Sequence, residues 1–129
     1  LTMIASDGFI VEGRGHPRTS GSYSKVLGQY VRDEGVLSLP EAIRKMTIEP
    51  ARRLEATVES MASKGRLQVG ADADITIFDP ATVIDRSTYL DATIPSTGIA
   101  WVVIAGEVVV ELGEVTAARP GRAVRGRVR

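Results

Sequence analysis

The chain has no cysteine among its 129 residues, which excludes disulfides, thiolate metal sites and cysteine nucleophiles together. Histidine is almost as scarce, with His16 the only one. A catalytic zinc usually takes most of its protein ligands from histidine, so these residues alone cannot assemble that kind of centre. Neither charge is in excess, because 16 Lys and Arg offset 16 Asp and Glu. No global field therefore draws the molecule onto nucleic acid or a membrane surface. Apolar runs stay far short of the roughly 18 residues that a membrane span requires. The opening Leu1–Ala5 has no basic leader and does not read as a signal peptide, so the expected setting is cytoplasmic. What remains, 43% hydrophobic and 25% charged residues, is ordinary globular composition with room for one core.

Leu1-Thr2-Met3-Ile4-Ala5 predicts a short buried strand ended by Ser6-Asp7-Gly8. A chain that opens inside a strand, without an initiator methionine, reads as a piece of a longer polypeptide. A loop rich in Gly, His and Pro follows to about Thr19. From Ser20 the pattern turns helical, with Tyr23, Val26, Leu27, Tyr30 and Val31 spaced three and four apart on a core face. Ser20 or Ser22 suits the cap and Gly35 the stop. Ser38-Leu39-Pro40-Glu41 fits a capping box with proline in the first turn. A third helix runs from Ile48 to about Leu54, with Thr47 as its expected cap and Pro50 tolerated near its start. Between Glu55 and Lys64 the pattern weakens to a surface excursion, partly helical.

After Gly65 the grammar is that of strands and turns. Ala73–Phe78 and Ile99–Ile104 read as strands, the second built around Trp101, which we expect to fill space between sheet faces. Ala105-Gly106 turns the chain into Glu107–Leu112, a hairpin closed by Gly113. The stretch from Arg119 to Arg129 holds five arginines. Its few apolar anchors predict a mobile end, and without interleaved aromatics it does not read as a nucleic-acid binder.

Asp7 is the most informative position. It follows an apolar strand and precedes a glycine, and in parallel α/β folds catalytic groups gather where strands end. An aspartate there can ligate a metal or take a proton from metal-bound water. Capping a turn is the plainer role for Ser-Asp-Gly. Arg18, behind the stiff Pro17, offers a planar fork suited to a carboxylate, although a solvated arginine beside a histidine is commoner. Asp72 and Asp74 read as turn caps before a strand, ahead of any metal role.

Ser6-Asp7-Gly8, His16-Pro17-Arg18, Lys45-Met46-Thr47 with Pro50–Leu54, Gly65-Arg66-Leu67 and the Gly70–Pro80 run resemble, in that order, the C-terminal end of an amidohydrolase-superfamily enzyme. His-Pro-Arg after Ser-Asp-Gly narrows the resemblance to the D-aminoacylase branch, the N-acyl-D-amino-acid deacylases. Pro95–Ile99, the Ala105–Val109 hairpin and Pro120-Gly121-Arg122 point the same way. The resemblance implies an α/β fragment. Residues 1–64 would give the last strand and closing helices of a (β/α)8 barrel. Residues 65–129 would give part of a flanking antiparallel β-sandwich, completed in the family by strands from the enzyme's N-terminal part.

It also implies a metal-dependent hydrolysis of the amide bond of N-acyl-D-amino acids. Zinc or another divalent metal would serve the full-length enzyme, and none is expected on this chain alone. Asp7 matches the family's aspartate that takes a proton from the attacking water and passes it to the leaving amine. Arg18 matches an arginine that holds the substrate carboxylate, and Gly8 and His16 would shape the same substrate-binding loop. The link from Glu55 to Lys64 is longer than the family's. A cyclic-amide hydrolase of the dihydroorotase or hydantoinase kind shares the barrel and the aspartate, and is the alternative enzyme. The non-enzymatic alternative is a binding or assembly module, because unpaired sheet edges invite association. The isolated chain is then expected to lack amidase activity and to self-associate, with the rest of the protein or a second copy as its partner.

Overall fold

The computed structural model describes residues 2–126. Leu1, the first residue of the expected opening strand, and residues 127–129 of the arginine-rich stretch lie outside the described residues. Residues 2–9 form no strand, which corrects that expectation. A strand needs a neighbour to take its backbone groups, and none of the described strands pairs with this segment. Its polar groups turn to a helix end instead. Ile4 N–H donates to Lys45 O at 3.1 Å, and Lys45 Nζ donates to Thr2 O at 3.0 Å.

The loop before the first helix holds a small hairpin that the pattern does not announce. Strands β1 (Ile10–Val11) and β2 (Arg14–Gly15) pair antiparallel. Glu12 and Gly13, with φ of 51° and 76°, make the left-handed turn between them. Helix α1 (Arg18–Lys25) begins behind Pro17, earlier than Ser20 or Ser22 would set it. Both serines are spent elsewhere, Ser20 Oγ on Ala92 O and Ser22 Oγ on Arg18 O. α1 continues as π-helical turns over Val26–Asp33, and Gly35, at φ 63°, stands as the stop.

Helix α2 (Leu39–Met46) starts as its sequence requires, with Ser38 Oγ accepting from Glu41 N–H at 3.4 Å and proline in the first turn. Helix α3 (Ile48–Leu54) follows at once. Thr47 does not cap it, because the Thr47 hydroxyl donates back to Ile43 O at 2.8 Å. A single 3-10 turn, Glu59–Ser63, is the helical part of the excursion that follows.

Strands β3 (Ile75–Phe78), β4 (Ile99–Ile104), β5 (Glu107–Glu111) and β6 (Glu114–Val115) form one antiparallel sheet in sequence order. Ala105 and Gly106 have φ of 50° and 83°, the conformation of a type I′ turn, whose twist matches that of the strands. Ala105 adopts it although alanine is a poor fit, and its N–H donates to Asp74 Oδ1 at 2.8 Å. Leu112 and Gly113 repeat the geometry at 51° and 88°, which adds the short β6.

The core is small. Val26, Leu27, Ala42, Ala51, Val83 and Ala92 are buried, and Val83 is the largest fully buried side chain. The segment between β3 and β4 crosses back to lie on α1 and its π-helical continuation. Arg32 Nη1 donates to Val83 O at 2.6 Å. Gly28 faces the same carbonyl so closely that a Cβ there would stand 2.5 Å from it. The buried strip of this helix is therefore Gly21, Ser24, Val26, Leu27 and Gly28. Tyr23 and Tyr30, expected in the core, are 46% and 37% exposed, because the seam runs along the glycine side of the helix, where Gly28 meets the Val83 backbone and Gly21 the Asp85 side chain. Trp101 is half-buried.

Candidate active site around Asp7 and Arg18

The structure brings Asp7, Gly8, His16 and Arg18 to one place. Asp7 sits in left-handed backbone, φ 46°, where aspartate is among the few tolerated residues. That turn presses Gly8 onto the first turn of α1, where a Cβ would meet Thr19 Cα at 2.5 Å. Thr19 Oγ1 donates to Phe9 O at 3.1 Å and holds the contact. Arg18 then reaches Asp7, Nη2 to Oδ2 at 3.4 Å, with the side chains 42% and 91% exposed. A pair this open to water is weak and easily exchanged. Arg18 N–H donates to His16 Nδ1 at 3.1 Å, which fixes the ring against the turn.

The second half of the chain supplies neighbours to this turn that its sequence does not mark. Ser87 Oγ lies 3.0 Å from Pro17 O and 2.6 Å from Asp85 Oδ1. Tyr89 meets the His16 ring edge-on, with centroids 5.1 Å apart. The contacts to Pro17 and His16 link residues some 70 apart in sequence, which no local pattern marks.

A separate charged cluster sits at the mouth of the sheet. Lys64 Nζ donates to Asp72 Oδ2 at 2.8 Å and to Asp74 Oδ2 at 2.7 Å. Lys64 holds both carboxyls below the usual carboxylate range, and the Ala105 N–H adds to the effect on Asp74. The two carboxylates in turn push the Lys64 ammonium upward. Asp72 and Asp74 are thus bound to a lysine, with Asp74 also serving the hairpin turn. The cleft of about 630 Å³ beside them shares no residue with the Asp7 group. Among the described residues no group of three His, Asp or Glu side chains could hold a metal ion.

Comparison with known proteins decides the family. The amidohydrolase family model matches residues 13–110. The chain belongs to the amidohydrolase family. This amidohydrolase chain is 43% identical over 123 residues to an N-acyl-D-glutamate deacylase of Alcaligenes xylosoxydans xylosoxydans, covering 95% of this chain and 24% of the relative. A crystal structure of D-aminoacylase, said to define a novel subset of amidohydrolases, superposes with a TM-score of 0.85 at 39% identity. It covers 95% of this chain and 25% of its own. The N-acyl-D-glutamate deacylase of Bordetella bronchiseptica, solved with zinc and a phosphonate mimic of the tetrahedral intermediate, superposes at 0.82 with 42% identity, over 96% of this chain and 25% of its own. The amidohydrolase chain therefore spans about a quarter of the length of the relatives it matches.

Proposed function

We propose that the chain is the C-terminal part of a metal-dependent amidohydrolase that cleaves the amide bond of N-acyl-D-amino acids. Residues 1–64 would close the barrel and residues 65–129 would contribute to a flanking β domain. The observation that carries the reading is the Asp7–Arg18 pair: a carboxylate and a carboxylate-binding fork, held 3.4 Å apart and open to solvent.

Arg18 binds Asp7 monodentately and at long range, so an incoming α-carboxylate can displace it by forming the better, two-pronged pair. Displacement does two things at once. It seats the substrate, and it frees Asp7 to take a proton from the attacking water and return it to the leaving amine. Gly8 lets the backbone under Asp7 lie against α1, and His16 fixes the turn from which Arg18 extends. A zinc of the kind bound by the Bordetella relative would need ligands beyond residues 2–126, since no fitting set occurs among them.

Asp7→Asn in the full-length protein tests the assignment. It should abolish hydrolysis of N-acyl-D-amino acids while shifting the melting temperature little, because the side chain is 91% exposed. An Asp7→Asn enzyme that still turns over overturns the reading. So does a wild-type enzyme that hydrolyses dihydroorotate or a hydantoin and leaves N-acyl-D-amino acids untouched.

A further inference from the structure

The segment between β3 and β4 grips the turn that carries Arg18. Ser87 Oγ shares its one proton between Pro17 O at 3.0 Å and Asp85 Oδ1 at 2.6 Å. The Ser87 N–H also donates to Asp85 Oδ1, at 2.8 Å, so the two residues form a closed unit. Asp85 rests directly on Gly21, where a Cβ would stand 1.9 Å from its Oδ1. Ser20 Oγ donates to Ala92 O at 2.6 Å, and Tyr89 closes on His16 from the outer side. All these contacts converge on residues 16–21, and no hydrogen bond among them involves Asp7.

We propose that Asp85 and Ser87 are positioning residues for Arg18, setting the direction in which its guanidinium meets a substrate carboxylate. The proposal rests on the reading of Arg18 as the carboxylate holder. A guanidinium makes its two-pronged bond only when its plane lines up with the carboxylate. Arg18 is the first residue of α1, so the plane of its fork follows the Pro17 turn. That turn is fixed on one side by Ser87 and on the other by the Ser20 and Gly21 N–H groups, which donate to the same Pro17 carbonyl at 3.1 and 3.0 Å. Releasing one hydrogen bond tilts the fork and loosens its 3.4 Å contact with Asp7, while the Asp7 turn keeps its own contact through Gly8 and Thr19.

The experiment compares KM and kcat in the full-length enzyme for an N-acyl-D-amino acid and for its α-carboxamide analogue, which offers no carboxylate to Arg18. Ser87→Ala should raise KM for the acid about fivefold with kcat nearly unchanged, the size expected for one lost hydrogen bond. It should not lower kcat/KM for the carboxamide, which Arg18 does not seat. Ser87→Thr, which keeps the hydroxyl, should restore the acid's KM, and Asp85→Asn should reproduce the rise in weaker form. Arg18→Lys separates the two claims. If it leaves the acid's KM alone, Arg18 does not hold the carboxylate and the underlying reading fails. If it raises KM while Ser87→Ala and Asp85→Asn do not, the positioning proposal is overturned. Equal losses on both substrates also overturn it, since that is the signature of a general structural role.

Discussion

The helical first half and the β second half of this chain are specified in different ways. In the sheet, each instruction is local. Ala105-Gly106 and Leu112-Gly113 adopt left-handed pairs, and each joins strands that are neighbours in sequence order. In the helical half, the starts and stops are local but the placement is not. Ser38 caps α2 and Gly35 ends the preceding helix, yet α1 is buried where Gly21 and Gly28 meet a segment from the other half. Turn chemistry works within a few residues, whereas a helix face is defined only by what covers it. At Gly28 the halves meet at backbone distance, and that seam is where the comparison can be tested.

The largest expected effect is at the seam itself. Gly28→Ala forces a methyl to within 2.5 Å of Val83 O, the acceptor that Arg32 also uses. Because rigid backbone must move, we expect a loss of about 2–3 kcal/mol in denaturant unfolding of the chain. A loss under about 0.5 kcal/mol, the range of ordinary surface changes, would mean the halves are not held together there.

At the Ala105 turn the expected change is smaller and opposite in sign. Ala105 holds φ at 50°, a conformation that asparagine tolerates better. Ala105→Asn keeps the N–H donated to Asp74 and should stabilise by roughly 0.5 kcal/mol. A destabilised variant would show that the hairpin is not locally encoded after all.

Acid titration gives the smallest effect. Lys64 lowers the carboxyls of Asp72 and Asp74 in the folded chain. Their contribution is present above the ordinary carboxylate range and is lost as pH falls below about 4. Lys64 itself is raised, so its share persists until the solution is more alkaline than the ordinary lysine range. Asp74→Asn should flatten the acid limb of stability measured against pH. An unchanged limb would place the acid sensitivity elsewhere.

Much of this was readable residue by residue. The capping serine of α2, the Pro50 start of α3, the Ile99–Ile104 strand and the Ala105-Gly106 turn stand where local chemistry puts them. The Glu12-Gly13 hairpin and the Leu112-Gly113 turn into β6 carry the same residue-then-glycine signal as Ala105-Gly106, but their strands are too short for an alternating pattern to show. Residues 2–5 are apolar and β-prone yet form no strand, because such residues make one only with a partner to pair. Tyr23 and Tyr30 share the helical spacing but stand exposed, since periodicity marks a face and not its cover.

In the candidate site, Asp7, Gly8, His16 and Arg18 were each legible from one short stretch, and they converge in space. Asp85, Ser87 and Tyr89 were not legible, because nothing near them in sequence distinguishes a serine that holds a distant turn from a serine in a loop.

The bare position Gly28 leaves no compressible layer of side chains between the first long helix and the backbone of the strand-linking segment at Val83. Elsewhere a side chain can change rotamer and absorb a small displacement. Here only backbone movement can absorb one, so helix and segment are pinned in register at that point.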